Sequence, residues 1–309
     1  MKVLTLTMNP VLDINTRAEL VLANKKNKCS KPELVPGGGG INVSRAIQKL
    51  GYESDACILG GGANRGKMED LLSKHNIKTY IVDSGNDCRE NLLVCDEITG
   101  QMYRFIMPGD DVKTDEEKIL EQIKEITIEY NYVVASGSLL PGISTDFYAK
   151  LAKFLNENDI KFILDTSGPA LKKAIEEGVY LIKPNLGELA TLIGNDKLTG
   201  IDQEKAAEEI LEKQQAIIVV LSLGAKGAML AQQGQIIEYV TPPTMPIISP
   251  VGAGDSMVAG IVAGFIKGLW PTEAIYYGVA AGTAAAMQPG SELCTKKDTD
   301  SIWRWLRAD

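Results

Sequence analysis

Short apolar runs recur along the chain with helix-like segments between them, and this alternation constrains the fold more than any other feature. Strands are predicted at 3–8, 55–59, 79–83, 132–136, 161–165, 179–183 and 216–221. Helices are predicted at about 41–50, 64–75, 114–128, 144–157, 168–177, 186–193 and 202–213. Runs as apolar as YVVAS and AIIVVL leave no polar face for water, so each must be covered on both sides. Strand-helix alternation of this kind gives a doubly wound, mostly parallel α/β sheet flanked by helices.

Two stretches break the rhythm. Residues 10–36 are polar and Lys-rich without a helical period, and 91–107 alternate about a Thr-Gly turn like a hairpin. Together they are expected to form a small accessory sheet, or else an ordinary pair of edge strands. Beyond 221 the texture changes to a hairpin about Gly234 and two long helices rich in small residues, about 253–268 and 271–287. No linker interrupts the chain, so one domain over 1–309 with an excursion is expected.

Composition narrows the function. With 45% hydrophobic and 23% charged residues the chain has material for a large core. A net charge of -8 disfavours nucleic-acid binding, so an anionic ligand must meet a local basic pocket. The five cysteines contain no CxxC pair, which fits a reducing cytoplasm rather than a disulfide framework. No apolar run is long enough for a signal peptide core or a membrane span. His75 is the one histidine and sits where a helix hands over to a strand, so a proton acceptor here should be a carboxylate.

Four segments carry chemistry. In PGGGGINVSRAIQKLG (36–51) the glycines lead into a helix whose first turn holds Asn42; the backbone there suits sugar hydroxyls or a phosphate, or forms a flexible turn. In SPVGAGDSMVAGIVAG (249–264) Gly252, Ala253 and Gly254 run into a helix with Asp255 at its start. Phosphoryl transfer needs donors about the transferred group and a residue to deprotonate the attacking hydroxyl, and this segment offers both; Asp255 as a simple N-cap is the alternative. In KPNLGEL (183–189) Asn185 and Glu188 have the spacing of a hydrated magnesium site and equally of a capping box, which in isolation is favoured. In VVLSLGAKGAML (219–230) a strand opens into a turn at Ser222, Gly224 and Gly227, open enough for a nucleotide or simply the start of a hairpin.

Taken in order, Asp13, GGGGINVSRA, Arg89, YRFIMPG, ASGSLLPG, KPNLGEL, SLGAKGAM and VGAGDSMVAG resemble the ribokinase-like, or PfkB, carbohydrate kinases through nearly the whole chain. Within that family the four consecutive glycines and YRFIMPG are most similar to the type II 6-phosphofructokinases. The 1-phosphofructokinases and tagatose-6-phosphate kinases usually carry Lys at the position of Gly39. The resemblance implies an ATP- and magnesium-dependent kinase that phosphorylates the C1 hydroxyl of fructose 6-phosphate. The alternatives are those two phosphosugar kinases and, from another class, a non-catalytic sensor of sugar phosphate or nucleotide.

Carried over by position, the resemblance makes Asp255 the base and Gly252, Ala253 and Gly254 an anion hole. Asp13, Gly38, Gly39 and Asn42 match contacts to sugar hydroxyls; Lys26, Arg89 and Ser138 match the sugar's phosphate end, with Arg104 in the same charged environment. Lys183, Asn185 and Glu188 match the nucleotide-phosphate and magnesium side, and Ser222, Gly224 and Gly227 the adenine-nucleotide turn. The family's accessory sheet is a lid and often a dimer surface, which implies a homodimer through 10–36 and 89–108. Two positions depart from the pattern. Pro250 replaces the usual Thr and removes a hydroxyl near the phosphate loop or a monovalent-cation site, so potassium activation is not implied. Lys28 replaces an Arg common among these kinases, weakening an implied sugar-phosphate contact across a subunit boundary.

Overall fold

The computed structural model describes residues 1–195, 198–289 and 292–308. In chain order its strands are β1 (Val3–Thr7), β2 (Val11–Ala18), β3 (Glu33–Gly37), β4 (Asp55–Gly61), β5 (Thr79–Asp87), β6 (Arg89–Asp96), β7 (Met102–Ile106), β8 (Tyr132–Ser136), β9 (Lys161–Asp165), β10 (Val179–Ile182), β11 (Ala216–Ser222), β12 (Ala228–Gln232) and β13 (Glu238–Val240). The helices are α1 (Gly39–Lys49), α2 (Arg65–Ser73), α3 (Glu116–Thr127), α4 (Phe147–Glu157), α5 (Gly168–Glu176), α6 (Leu186–Ile193), α7 (Gly200–Glu212), α8 (Ala253–Ile266), α9 (Pro271–Ala286) and α10 (Lys296–Leu306).

Nine strands form one sheet in the order β13-β12-β11-β10-β9-β8-β1-β4-β5, parallel from β11 to β5 and antiparallel across β11-β12 and β12-β13. Successive side chains of a strand point to opposite faces. Thus Leu4 and Leu6 of β1 pack with α3, α4, α5 and α7, while Val3 joins α1, α8, α9 and α10 on the other side. Helices on both faces explain why β1 and β8 are buried at every position.

The small residues of α8 and α9 have a packing cause. A Cβ added to Gly260 would lie 2.7 Å from Ala281 Cβ and 2.8 Å from Gly278 Cα, so the two helices touch nearly backbone to backbone. The long apolar helices are therefore buried in the core, and no described helix is long and apolar enough to cross a membrane.

A separate four-stranded sheet has the order β3-β2-β6-β7. The segment 10–36, which shows no helical period, supplies β2 and β3, and β6-β7 is the hairpin of 91–107. Its turn closes because Asp96 Oδ1 accepts from Ile98 N (3.1 Å) and Thr99 N (2.9 Å), and Gly100 takes a positive φ of 69°.

Three differences from expectation stand out. β5 runs to Asp87 through the polar SGND segment, the hairpin about Gly234 has only Glu238–Val240 as its second strand, and α10 follows the last predicted helix. α10 is polar in composition, but Thr299, Ile302, Trp303 and Leu306 fall on one buried face.

Candidate active site

Parallel sheets bind ligands beyond the carboxyl ends of their strands, at the point where strand order reverses. Here that point lies between β1 and β8, because β4 and β5 extend one way from β1 and β8 to β11 the other. Two glycines let the start of α1 press onto it. A Cβ on Gly39 would fall 2.3 Å from Ser136 Oγ and 2.6 Å from the Ser136 carbonyl carbon; on Gly40 it would meet Leu6 O and Thr7 Oγ1. Gly38, at φ 113°, turns the chain into the helix.

Asp255 projects from the first turn of α8 into a cavity of about 320 Å³ bordered by Gly39, Ser136, Ser138, Asp165 and Glu188. It is not the N-cap: Gly252 holds that position with φ 77° and makes no side-chain cap bond. Asp255 Oδ2 accepts from Asn42 Nδ2 at 2.9 Å, and Ser136 Oγ donates to Oδ1 at 3.4 Å. Burial, and then the charge of Asp165, push the Asp255 carboxyl up to about 6, while Asn42, Lys183 and Ser136 hold it down. It is thus ionised at neutral pH and basic enough to accept a proton.

Lys183 follows β10 and is nearly inaccessible, with Nζ 3.1 Å from Asp165 Oδ1. Burial works against its ammonium, but Asp165, Asp255 and Glu188 outweigh that and raise its pKa. A fixed positive charge therefore backs the start of α8, where helix geometry leaves amides without intrahelical acceptors. Ala253 N makes one long bond, 3.3 Å, to Pro250 O.

Asn185 and Glu188 form the capping box in full. Asn185 Oδ1 accepts from Glu188 N at 2.9 Å and Glu188 Oε2 accepts from Asn185 N at 2.8 Å. Glu188 still borders the Asp255 cavity, so the box orients this carboxylate toward the site. The turn of Ser222, Gly224 and Gly227 is tied alongside, because Ser222 N donates to Pro184 O at 2.9 Å. Gly227 has φ 89° and lies so close to Val240 O that no Cβ fits.

A second cavity, about 230 Å³, opens on the small sheet between Asp13, Asn42, Arg89, Asn91 and Arg104. The parallel register of β2 and β6 puts Asp13 opposite Asn91, whose Nδ2 donates to Asp13 Oδ1 at 3.1 Å and whose Oδ1 accepts from Met107 N at 3.2 Å. Burial raises the Asp13 carboxyl above its usual range, against Asn91 and the charges of Arg104, Arg89 and Arg45. Arg89 Nε is buried without a hydrogen-bond partner among the described residues. Three guanidiniums about one carboxylate leave this pocket positive in a chain of net charge -8.

Asn42 borders the second cavity and bonds Asp255 in the first, so it joins the two. Ser138 accepts from Asn9 Nδ2 at 3.2 Å beside Gly39. Lys26 is exposed in the connection between β2 and β3 and borders neither cavity. A larger cavity, about 650 Å³, lies at the opposite ends of β9 to β11 beside Lys161, Tyr180 and Gln214. We place the candidate site at the strands' carboxyl ends, where the glycine-flanked helix starts and charged groups converge.

A family profile described as pfkB family carbohydrate kinase matches residues 6–298. The chain belongs to the pfkB family of carbohydrate kinases. This pfkB kinase is 38% identical over 307 residues to the ATP-dependent 6-phosphofructokinase isozyme 2 of Escherichia coli K12, covering 99% of each chain. It is 32% identical over 294 residues to the 1-phosphofructokinase of Bacillus subtilis, covering 95% of this chain and 94% of that one. The crystal structure of Escherichia coli phosphofructokinase-2 in complex with potassium superposes with a TM-score of 0.93 at 36% identity, covering 99% of each.

Sequence motifs did not single out Ser136, Asp165, Arg45 or Asn91. Ser136 and Asp165 are the last residues of apolar strands, and the carboxyl end of a parallel strand is itself a site signal. Arg45 lies inside the glycine-helix motif, one turn beyond Asn42. Asn91 had no local signal, because its importance arises from pairing with a strand 78 residues away.

Proposed function

We propose that this pfkB kinase is an ATP-dependent 6-phosphofructokinase that phosphorylates the C1 hydroxyl of fructose 6-phosphate. The observation that carries the kinase reading is Asp255, pushed up to about 6 and held by Asn42 and Ser136 in the first turn of α8, beside an arginine-rich cavity. The substrate reading rests on the bare Gly39 packed against Ser136 and on the similarity to isozyme 2.

In this reading Asp255 takes the proton of the attacking hydroxyl while the γ-phosphoryl passes in line from ATP, without a covalent phosphoenzyme. The amides of Gly252, Ala253 and Gly254 receive the charge that develops on the transferred group; each aligned donor is worth about 3 kcal/mol. Asp13, Gly38, Gly39 and Asn42 orient the sugar. Arg89, with an unused buried Nε, grips the phosphate end together with Arg104 and Ser138. Lys26, exposed between β2 and β3, is assigned to that end by the family resemblance alone. Lys183 and Asn185 face the nucleotide phosphates, and Ser222, Gly224 and Gly227 border the adenine.

Magnesium fits the donor set as a water-rich ion. Among the described residues no three acidic, His or Cys side chains converge to hold a metal unaided, and Glu188 is the carboxylate left for the ion once Asp165 pairs with Lys183 and Asp255 serves as the base. When bound, the ion neutralises phosphate charge. Pro250 offers no side-chain oxygen to a monovalent cation, which leaves backbone carbonyls as the donors at that position.

The small sheet acts in this reading as a lid over the sugar and as the surface of a homodimer. Phe105, Ile106 and Met107 are exposed at its edge, where a partner would cover them. A cytoplasmic location follows from the glycolytic substrate.

The first test is coupled ADP release with Mg-ATP and fructose 6-phosphate, fructose 1-phosphate or tagatose 6-phosphate. The highest kcat/KM is expected for fructose 6-phosphate; preference for another sugar would overturn the substrate and keep the kinase, and silence with all three would leave a sensor. Arg89→Ala is expected to raise the KM for the sugar phosphate by roughly tenfold or more at nearly constant kcat, as for loss of a charged hydrogen bond to substrate. An unchanged KM would remove Arg89 from the phosphate pocket.

A further inference from the structure

Arg45 lies one helical turn beyond Asn42, with both side chains on one flank of α1. Its Nη1 donates to Pro36 O at 3.3 Å and, in a longer bond, to Asn42 Oδ1 at 3.5 Å. Its Nε is buried and has no hydrogen-bond partner among the described residues. Asn42 uses the other end of the same carboxamide, donating from Nδ2 to Asp255 Oδ2 at 2.9 Å.

A carboxamide can occupy one site in two orientations that exchange its oxygen and its NH2 group. A guanidinium only donates and an ionised carboxylate only accepts. With Arg45 on one side of Asn42 and Asp255 on the other, one orientation satisfies both neighbours. The reverse sets N–H against N–H and oxygen against oxygen.

We infer that Arg45 is a positioning residue for phosphoryl transfer: it fixes the orientation of the Asn42 amide and thereby keeps a hydrogen bond on Asp255 Oδ2. Asp255 Oδ1, touched by the long Ser136 bond, is left to take the proton. The inference rests on Asp255 being the base, as proposed above. It gives Arg45 a role distinct from gripping the sugar's phosphate.

The charges about the two groups are separate. Arg45 faces Asp13 on β2, Glu33 on β3 and Glu292 beyond α9, and its charge reaches His75 beyond α2. Asp255 is influenced by Asp165 at the end of β9 and Lys183 after β10. Asn42 connects the two sets. Because its bond lowers the Asp255 pKa, losing the correct amide orientation raises that pKa, and the acid limb of the rate profile moves to higher pH.

The experiment is a double-mutant cycle on full-length protein, reading kcat against pH with Mg-ATP and the preferred sugar phosphate, with Asp255→Asn as control. The substrate phosphate itself titrates near pH 6, but it does so equally in every variant, so differences in the limb report the protein. Arg45→Met is expected to lower kcat roughly tenfold and move the acid limb up by about one pH unit, the size of one charge-assisted hydrogen bond. In an Asn42→Ala background, where no amide remains to be oriented, Arg45→Met should move the limb no further.

An unmoved limb in the natural background, or an equal shift in both backgrounds, would overturn the inference. If Arg45→Met does not fold, as judged by its melting curve, Arg45→Lys enters the same cycle. Its shorter reach, without the planar guanidinium fork, should shift the limb in the natural background alone, and the same two outcomes would count against it. Turnover surviving Asp255→Asn would instead sink the assignment of the base; a dead Asp255→Asn with an unmoved Arg45 limb sinks only the role of Arg45.

Discussion

Replacing Asp255 by Asn should cut kcat by roughly 100-fold or more and leave the KM values for sugar phosphate and ATP nearly unchanged. Asn has almost the same shape and can still accept the Asn42 bond, so ligand binding persists while the proton acceptor is gone. The pH dependence has a defined direction. Asp255 is pushed up to about 6 by burial and by Asp165, so it is ionised above that pH and protonated below it. Turnover of the natural enzyme should therefore fall as pH drops through about 6. The same raised pKa means that the folded state disfavours the ionised carboxylate at neutral pH. Asp255→Asn removes that penalty and should melt no lower than the natural protein. A variant that loses turnover together with stability would point to a structural role, and one with near-natural turnover would reject Asp255 as the base.

Gly39→Ala should reduce kcat/KM for fructose 6-phosphate roughly 100-fold, the cost of displacing reacting groups by about 1 Å. The new Cβ would fall 2.3 Å from Ser136 Oγ and 2.6–2.7 Å from the Ser136 carbonyl group. Ser136 has little room to yield, since its backbone is paired with Asp165 in the sheet and its hydroxyl contacts Asp255. Either α1 lifts, taking Asn42 with it, or Ser136 shifts and disturbs the base. A stability loss of about 1–3 kcal/mol should accompany the change, as for other overpacked sites. Steady-state kinetics and denaturant melts measure the two effects. Gly39→Lys with natural activity on fructose 6-phosphate would separate residue 39 from substrate choice altogether.

The large sheet was readable because its central strands are apolar on both faces, a pattern with few competing explanations. β1, β8 and β9 fall within one residue of expectation. The small sheet was harder to read for a functional reason. One face of β2 carries Asp13 and Asn15 toward the second cavity, so its apolar alternation is interrupted by polar groups. α10 carries its apolar stripe in only four residues among charged neighbours and lies beyond the motifs. In the site itself, glycine runs and Asp255 stand out locally. Pairs such as Asp13 with Asn91, or Lys183 with Asp165, exist only after distant strands are aligned.

The candidate site is divided between the two sheets. Asp13, Arg89, Asn91 and Arg104 stand on the small sheet, whereas Ser136, Asp165 and Asp255 belong to the large sheet or the helix packed on it. The chain passes between them through short links: residues 8–10, Gly38 and Cys88, with 107–115 leading back. In the proposed reading, recognition of the acceptor is thus shared between the small sheet and the start of α1, whereas handling of the phosphoryl group stays with the large sheet. In that reading a new acceptor specificity can arise by rewriting the four-stranded ribbon together with position 39, leaving the transfer chemistry as a common chassis, provided that the one-residue joints keep their length.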